Sequence, residues 1–238
     1  MKIVAMSQSN YIPWKGFFDL IHDADIFVYY DEVQYTSKDW RNRNLIKTAG
    51  GARWLSIPVA TKGKFHQKIS ETKVSDKDWA KRHWNTIYEN YHKSRYYKNY
   101  SKLLEETYFK CSQMDYLCNI NYCFINVINN VLNIKTEILN SKNFDLADGK
   151  AERVVKACKD CGATTYLCGP AAKSYLSDEM FERHGIRLRW KDYSGYPEYW
   201  QRTPPFTHNV SVLDLIFNAG PKAPYYIWGW REKGMGIR

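Results

Sequence analysis

The sequence predicts an α/β fold, a mainly parallel sheet with an inserted β-hairpin and a helical middle segment. Three observations predict it. Short apolar runs alternate with helical periods at both ends of the chain, two glycines separate a pair of strand-like runs after residue 42, and the stretch from there to residue 132 carries mostly helical spacing.

Lys2–Met6 reads as a buried strand, and beyond a Pro-containing loop Phe17, Leu20, Ile21 and Ala24 recur at helical spacing. Ile26–Tyr30 reads as a second strand, so residues 2–30 form a βαβ unit with parallel strands and a right-handed crossover. The first loop then lies at the carboxyl end of a strand, where such sheets place ligands. Arg43–Thr48 and Arg53–Val59, about a Gly50-Gly51 turn, read as a hairpin inserted for function. Ser75 with Asp78 resembles a capping box ahead of a helix that shows Trp79, His83, Ile87, Tyr88 and Tyr91 on one face. Helices over Tyr97–Lys110 and Gln113–Leu132 complete the middle. The alternation resumes with strand Thr136–Leu139, helix Lys150–Cys161 closed by Gly162, strand Thr165–Cys168, helix Ala172–Arg183 closed by Gly185, and strand Arg187–Asp192. A Pro- and Tyr-rich loop, Gly195–His208, leads into an amphipathic helix over Val210–Asn218, capped at Asn209 and stopped by Gly220-Pro221. No repeat or low-complexity linker interrupts this succession, so residues 1–238 read as a single Rossmann-like domain.

Composition bounds the function. No apolar run approaches the roughly 18 residues of a membrane span, and Met1–Met6 passes at once into Ser7-Gln8-Ser9-Asn10 with no signal-peptide core, so the expected compartment is the cytoplasm. The six cysteines then read as reduced core residues. Thirty-five Lys and Arg against 25 acidic residues leave a formal charge of +10, which favours an anionic partner. An aromatic content of 16% supplies rings for the core and for stacking on sugars or bases.

Three stretches carry candidate chemistry. In Ser7–Gly16, Gln8, Tyr11, Trp14 and Lys15 stand between a buried strand and a helix N-terminus whose backbone N–H groups could hold a phosphate beside Lys15. In Asp31–Tyr35 and Trp40–Asn44, Asp31 or Glu32 could serve as a general base or amine anchor. Arg41 and Arg43 could clamp phosphate or carboxylate there, with Gln34, Tyr35, Trp40, Asn42 and Asn44 lining the site. In the third, Tyr199, Gln201 and His208 precede the last helix, on which Asp214 and Asn218 share a face. His208 is the histidine best placed for proton transfer, because a helix N-terminus disfavours the imidazolium. His83 reads as a hydrogen-bonded core residue. Cys158 and Cys161 have redox-like spacing but no second pair at zinc-site spacing, so no metal site is assigned. Gly169-Pro170 reads as a further turn on the same rim.

Taken together, Gln8, Tyr11-Ile12-Pro13-Trp14, Gly16-Phe17-Phe18, Asp23-Ala24-Asp25, Asp31–Tyr35, Trp40–Asn44, Trp54 with Pro58, and Ser211–Asn218 resemble the WbqC-like family, in the same order and over nearly the whole chain. Many members carry His-Gln-Pro where this chain has Ser7-Gln8-Ser9, so a catalytic histidine is not available at that position. The resemblance implies a bacterial protein of O-antigen or related surface-polysaccharide (lipopolysaccharide) synthesis and a transfer of glycine or a similar acyl group to an amino-sugar nucleotide.

Such a reaction deprotonates an ammonium, aligns it with an activated carbonyl and stabilises an oxyanion. Asp31 or His208 would take the proton, Arg41 or Arg43 would bind the diphosphate, and Gln8 would orient the acyl group. An aminoacyl-tRNA donor fits the positive charge, and direct activation of an amino acid by ATP is a variant. No coenzyme A, acyl-carrier or P-loop motif is legible, so the cofactor stays open. Two other classes stand beside the enzyme. A module that binds nucleic acid or saccharide would spread its basic and aromatic side chains over an open surface, and an accessory subunit of a polysaccharide enzyme would expose an apolar patch.

Overall fold

A computed structural model of the chain describes residues 1–145 and 149–234, with side chains to residue 231. Five strands, β1 (Ile3–Ser7), β2 (Ile26–Tyr29), β5 (Glu137–Asn140), β6 (Thr165–Cys168) and β7 (Arg187–Trp190), form one parallel sheet in the order β5-β2-β1-β6-β7. Numbered by chain position, these strands run 3-2-1-4-5, the arrangement of a Rossmann sheet. The switch point falls between β1 and β6. The remaining strands, β3 (Arg43–Thr48) and β4 (Gly51–Ser56), pair antiparallel as a separate hairpin.

Strand periodicity builds two cores, one on each face of the sheet. Val4, Met6, Ile26, Val28, Tyr166 and Cys168 face α5 (Lys150–Asp160) and α6 (Asp178–Glu182), where Tyr166 stacks on Phe181 with ring centroids 5.3 Å apart. Ala5, Phe27, Tyr29 and Leu167 face the larger core. That core takes in α1 (Lys15–His22), α2 (Trp79–Tyr91), α3 (Tyr97–Ser112), α4 (Leu117–Val131), α7 (Val212–Ala219) and the hairpin's Ile46 and Leu55. The cysteines are free thiols, five buried in these cores and Cys123 half-buried against the larger one.

Several boundaries differ from the sequence reading, each for a local reason. The second hairpin strand ends at Ser56 rather than Val59, since Pro58 has no N–H for the ladder and Val59 instead bridges to Val74. The helix expected from Gln113 begins at Leu117, because Asp115 and Tyr116 pair in extended form with the 72–74 segment. The helix expected over Ala172–Arg183 splits into a 3-10 turn at Pro170–Ser174 and α6, with Ser177 extended between them. Ser75 does not cap α2: its N–H donates to the Pro58 carbonyl, and Asp76 accepts from the Asp78 N–H instead. Ser211, rather than Asn209, caps α7, its hydroxyl accepting from the Leu213 N–H at 3.3 Å.

The carboxyl-terminal helix α8 (Gly229–Gly234) is pinned to α1 by ions that periodicity does not reveal. Asp19, fully buried, accepts from Arg231 at 2.6 and 2.8 Å, pairs with Lys191 at 2.9 Å and accepts the Tyr196 hydroxyl at 2.5 Å. Asp23 pairs with Lys191 at 2.6 Å and with Arg231 at 3.3 Å, and the His22 ring stacks on Trp228 at 3.9 Å. Burial works against the Asp23 carboxylate, but hydrogen bonds from His22 and Lys191 and the charges of Lys191 and Arg231 outweigh it and hold its pKa far below the ordinary range.

Lys191→Met should therefore lower stability by roughly 3 kcal/mol or more at neutral pH, since it strands buried carboxylates. A depressed folded-state pKa contributes stability that is present above the unfolded pKa and lost as pH falls. The gap between variant and wild type in urea midpoint should accordingly shrink below about pH 4, and a gap independent of pH would contradict the assignment.

Candidate functional site

The loop from Gln8 to Trp14 leaves β1 at the sheet's carboxyl rim beside the switch point, and hydrogen bonds fix it residue by residue. The Ser9 N–H donates to Asp31 Oδ1 at 2.8 Å, and Asn121 of α4 donates to the Ser9 hydroxyl at 3.1 Å and to the Arg41 carbonyl at 2.9 Å. The Tyr11 N–H donates to the Trp40 carbonyl. Asn44, 2% exposed, donates to the carbonyls of Tyr11 and Ile12 at 3.1 and 3.0 Å. Ile12 is held at φ +35°, a left-handed conformation that a β-branched residue avoids, at a strain on the order of 1–3 kcal/mol. Gly16 is required at the start of α1, where any Cβ would overlap the Trp14 ring.

Asp31, two residues past the end of β2 at Tyr29, is 1% exposed. Burial raises its pKa, while the Ser9 hydrogen bonds, the Tyr122 hydroxyl and the Arg41 charge pull the other way. Its Oδ2 is buried without a hydrogen-bond partner. The Arg41 guanidinium donates to Asn10 and to Asp39, leaving its Nε buried and unpartnered. Tyr122 accepts from Asn140 at 3.0 Å. This is a buried carboxylate with one oxygen fixed by Ser9 and the other, toward the Tyr122 hydroxyl, without a hydrogen bond that meets the geometry, beside a fixed cation at the rim where α/β sheets bind ligands.

A second group lies on the Lys15 side of the loop. Lys15, 3% exposed, donates to the carbonyls of Pro197 and Tyr226 at 3.4 and 3.2 Å and sits over the rings of Tyr196 and Tyr199. Burial lowers its pKa to about 8 against the pull of Asp19. His208 packs on Phe206 and Tyr196 with Nδ1 buried and unpartnered; burial, then the Lys15 charge, lowers its pKa to about 4, so it is neutral near pH 7. Asp214, 1% exposed and also raised in pKa by burial, accepts from Tyr91, Tyr199 and Gln201 at 2.8–3.0 Å. Among the described residues no hydrogen bond or ion pair joins Asp31 to His208.

The other residues named from sequence divide by what they touch. Tyr11 is fully buried, and its hydroxyl meets Tyr108 at 2.7 Å and His83 Nδ1 at 2.9 Å. Since His83 Nε2 donates to the Ser56 carbonyl and burial lowers the ring's pKa to about 4, the ring is neutral and Nδ1 accepts from Tyr11. Tyr11, Asn44, Tyr199, Gln201 and Asp214 thus spend their polar atoms on the protein. Gln34 donates to the Phe65 carbonyl, Asn42 to the Ile57 carbonyl, and Tyr35 is buried. Gln8 is half-buried at the end of β1. Trp14 packs edge-on against Tyr193 at 5.3 Å, and Tyr193 in turn stands over Gly169, so these two rings roof the switch point. Trp40 remains open to solvent and Arg43 partly so.

Sequence reasoning placed Ser9 and Asn10 in the candidate loop but did not single them out, and it did not include Asn121 and Tyr122. The available signal was Asn121 itself, an amide among Leu117, Ile120, Phe124 and Ile125 on the buried face of a helix, which demands a polar partner. It missed Asp19 as well. Ligand atoms of Asp19, His22 and Asp23 lie within 4.8 Å of one another, but Lys191 and Arg231 stand where a cation would. Among the described residues two grooves lie elsewhere and contain none of the candidate site residues. One, of about 580 Å³, is lined by Trp84, Glu105 and Phe109, and the other, of about 320 Å³, by Lys156, Lys159 and Met180.

Asp31→Asn keeps an oxygen for the Ser9 N–H and removes the buried charge. A raised folded-state pKa gives stability below the unfolded pKa that is lost as pH rises. The variant should therefore exceed wild type near pH 7.5 by about 1 kcal/mol, roughly 2–4 °C in Tm, and the difference should vanish on acidification as wild-type Asp31 takes its proton. A variant less stable at every pH in calorimetry would make Asp31 a structural anchor. Asn44→Ala, by contrast, frees two buried carbonyls and should lose roughly 2 kcal/mol or more by urea denaturation.

Among the described residues no helix is long and apolar enough to cross a membrane. No solved structure matches the chain. A curated relative, the uncharacterized protein Rv1507c of Mycobacterium tuberculosis, is 45% identical over 227 residues, which cover 95% of this chain and 98% of that protein. The profile of the WbqC-like protein family matches residues 8–226, from Gln8 through the loop, the rim and the hairpin to Tyr226 beside Lys15, and the chain belongs to that family.

Proposed function

We propose that the chain is a cytoplasmic transferase that moves an acyl or aminoacyl group, glycine being the smallest aminoacyl group, onto the amine of an amino-sugar nucleotide in bacterial surface-polysaccharide synthesis. The observation that carries this reading is Asp31: a buried carboxylate raised in pKa at the rim of a Rossmann-ordered sheet, with one oxygen fixed by Ser9, the other without a geometric hydrogen bond near the Tyr122 hydroxyl, and Arg41 alongside. A raised pKa brings a carboxylate closer to the strength a general base needs near neutral pH.

In this mechanism the sugar amine enters as an ammonium and gives one proton to Asp31. The free amine attacks the carbonyl carbon of the activated donor, the C–N bond forms, and the carbonyl electrons move to oxygen, where the Arg41 charge offsets them. Collapse breaks the bond to the leaving group. The leaving group departs with the proton that Asp31 held, and the Asp31 carboxylate so regenerated takes the second proton from the nitrogen and releases it to solvent.

The test is thermal stabilisation by a UDP-linked amino sugar and by its N-acetylated counterpart. The free amine should stabilise the wild type, the N-acetyl form should do so about tenfold more weakly, and Asp31→Asn should remove the preference. Equal stabilisation by both sugars, or an undiminished preference in the variant, would sink the assignment of Asp31. Mass spectrometry after incubation with glycine and ATP, or with glycyl-tRNA, then identifies the donor through a sugar nucleotide heavier by one glycyl group.

A further inference from the structure

The hairpin and the segment that leads into it carry aromatic side chains that the cores do not use. Trp40 and Trp54 are 43% and 41% exposed, with ring centroids 5.3 Å apart and planes tilted by 41°. The Arg43 guanidinium lies over Trp54, 4.1 Å from its centroid, and donates to the Lys38 carbonyl, so it is held in place from two directions. Isolated exposed rings are ordinary on protein surfaces, whereas two rings in contact with a pinned guanidinium make an ordered stacking surface. Of the cations in the segment from Lys38 to Trp54, Lys47 is buried against the Pro205 carbonyl and Arg41 is held by Asn10 and Asp39, which leaves Lys38, Arg43 and Arg53 at the surface to favour an anion. The platform is also coupled to the candidate site. The Trp40 carbonyl receives the Tyr11 N–H, and the next residue is the Arg41 that stands beside Asp31.

We propose that Trp40, Trp54 and Arg43 form a platform on which the base of a nucleotide stacks, with the phosphate charge answered by the basic residues of the same segment. The proposal deepens the transferase reading, on which it rests for the sugar alone; the platform itself requires only a base and a phosphate. Two sources supply that chemistry, a free or sugar-linked nucleotide and the end of a single-stranded RNA. Both stack on aromatic rings and both are polyanions.

Calorimetric titration of the full chain with UDP, ADP, ribose 5-phosphate and a six-nucleotide single-stranded RNA tests it. Both tryptophans are exposed, so Trp40→Ala and Trp54→Ala should keep the fold, as circular dichroism would verify, and Phe109→Ala, 73% exposed on α3, is the control. A nucleoside diphosphate should bind the wild type and the control alike and either tryptophan variant about tenfold or more weakly, with ribose 5-phosphate weaker still. Trp54→Phe should retain most of the affinity. RNA that binds far more tightly than UDP, with a steep salt dependence, identifies a strand end as the source, and comparable affinities identify a free nucleotide. Base-bearing probes that do not bind, or that bind all variants equally, overturn the platform. An amine-selective sugar nucleotide that ignores both tryptophan changes overturns the platform and leaves the transferase standing, whereas tryptophan-dependent binding of UDP with no preference for the amine does the reverse.

Discussion

The loop between Gln8 and Lys15 is the constraint on which the rest of the molecule depends, because the end of β2, the hairpin and the segment before it, and four helices all hydrogen-bond to it. The end of β2 takes the Ser9 N–H, α4 takes the Ser9 hydroxyl, the segment before the hairpin takes the Tyr11 N–H, and the hairpin takes the Tyr11 and Ile12 carbonyls. The start of α7 takes the Pro13 carbonyl, and α2 and α3 hold the Tyr11 hydroxyl through His83 and Tyr108. A left-handed isoleucine is a poor choice for an isolated turn. It persists here because these contacts over-determine its position. The strain and the packing are one arrangement, and it places Ser9 and Asn10 against Asp31 and Arg41.

The buried acids show how environment separates roles that composition cannot. Asp19 is ringed by Lys191, Arg231 and the Tyr196 hydroxyl, so its charge serves to hold the chain's end against α1. Asp214 receives two tyrosine hydroxyls and an amide; a network so fully satisfied fixes the Tyr199–Thr207 segment to α7 and has little capacity left for a ligand. Asp31 alone of the three keeps an oxygen without a hydrogen-bond partner. A buried charge that the protein leaves half-served is costly to keep, and that cost is what points to chemistry rather than architecture.

Periodicity made the sheet and most helices legible. Val4, Met6, Ile26 and Val28 alternate with Ala5, Phe27 and Tyr29 because both faces of the sheet are covered, and that pattern needs no knowledge of distant partners. Helix starts were less legible, since the Ser211 cap and the extended Asp115–Tyr116 pairing are decided by tertiary hydrogen bonds. For the candidate site, residue type named Asp31 and Arg41, which stand together, and also Tyr11, Asn44 and Asp214, which do not. Their hydrogen-bonding groups look like ligand contacts in a sequence and are consumed by the protein in the structure. What no local pattern contained is the pairing of Ser9 with Asn121, separated by 112 positions.

That pairing also explains what the insertion is for. A plain Rossmann sheet passes from its second strand to its third through a single helix, leaving the carboxyl rim open to solvent on that side. Here the path from β2 to β5 runs through the hairpin and three helices, and it returns to the rim in two places. Trp40 and Arg41 reach it from one direction, Asn121 and Tyr122 from the other. Asn121 binds Ser9 and the Arg41 carbonyl with one amide nitrogen, and so closes the two arms on each other over the end of β1. The burial that raises the pKa of Asp31 is thus produced by the insertion rather than by the sheet, and a parallel sheet with the same β2 and no such insert would leave an ordinary exposed carboxylate at its rim.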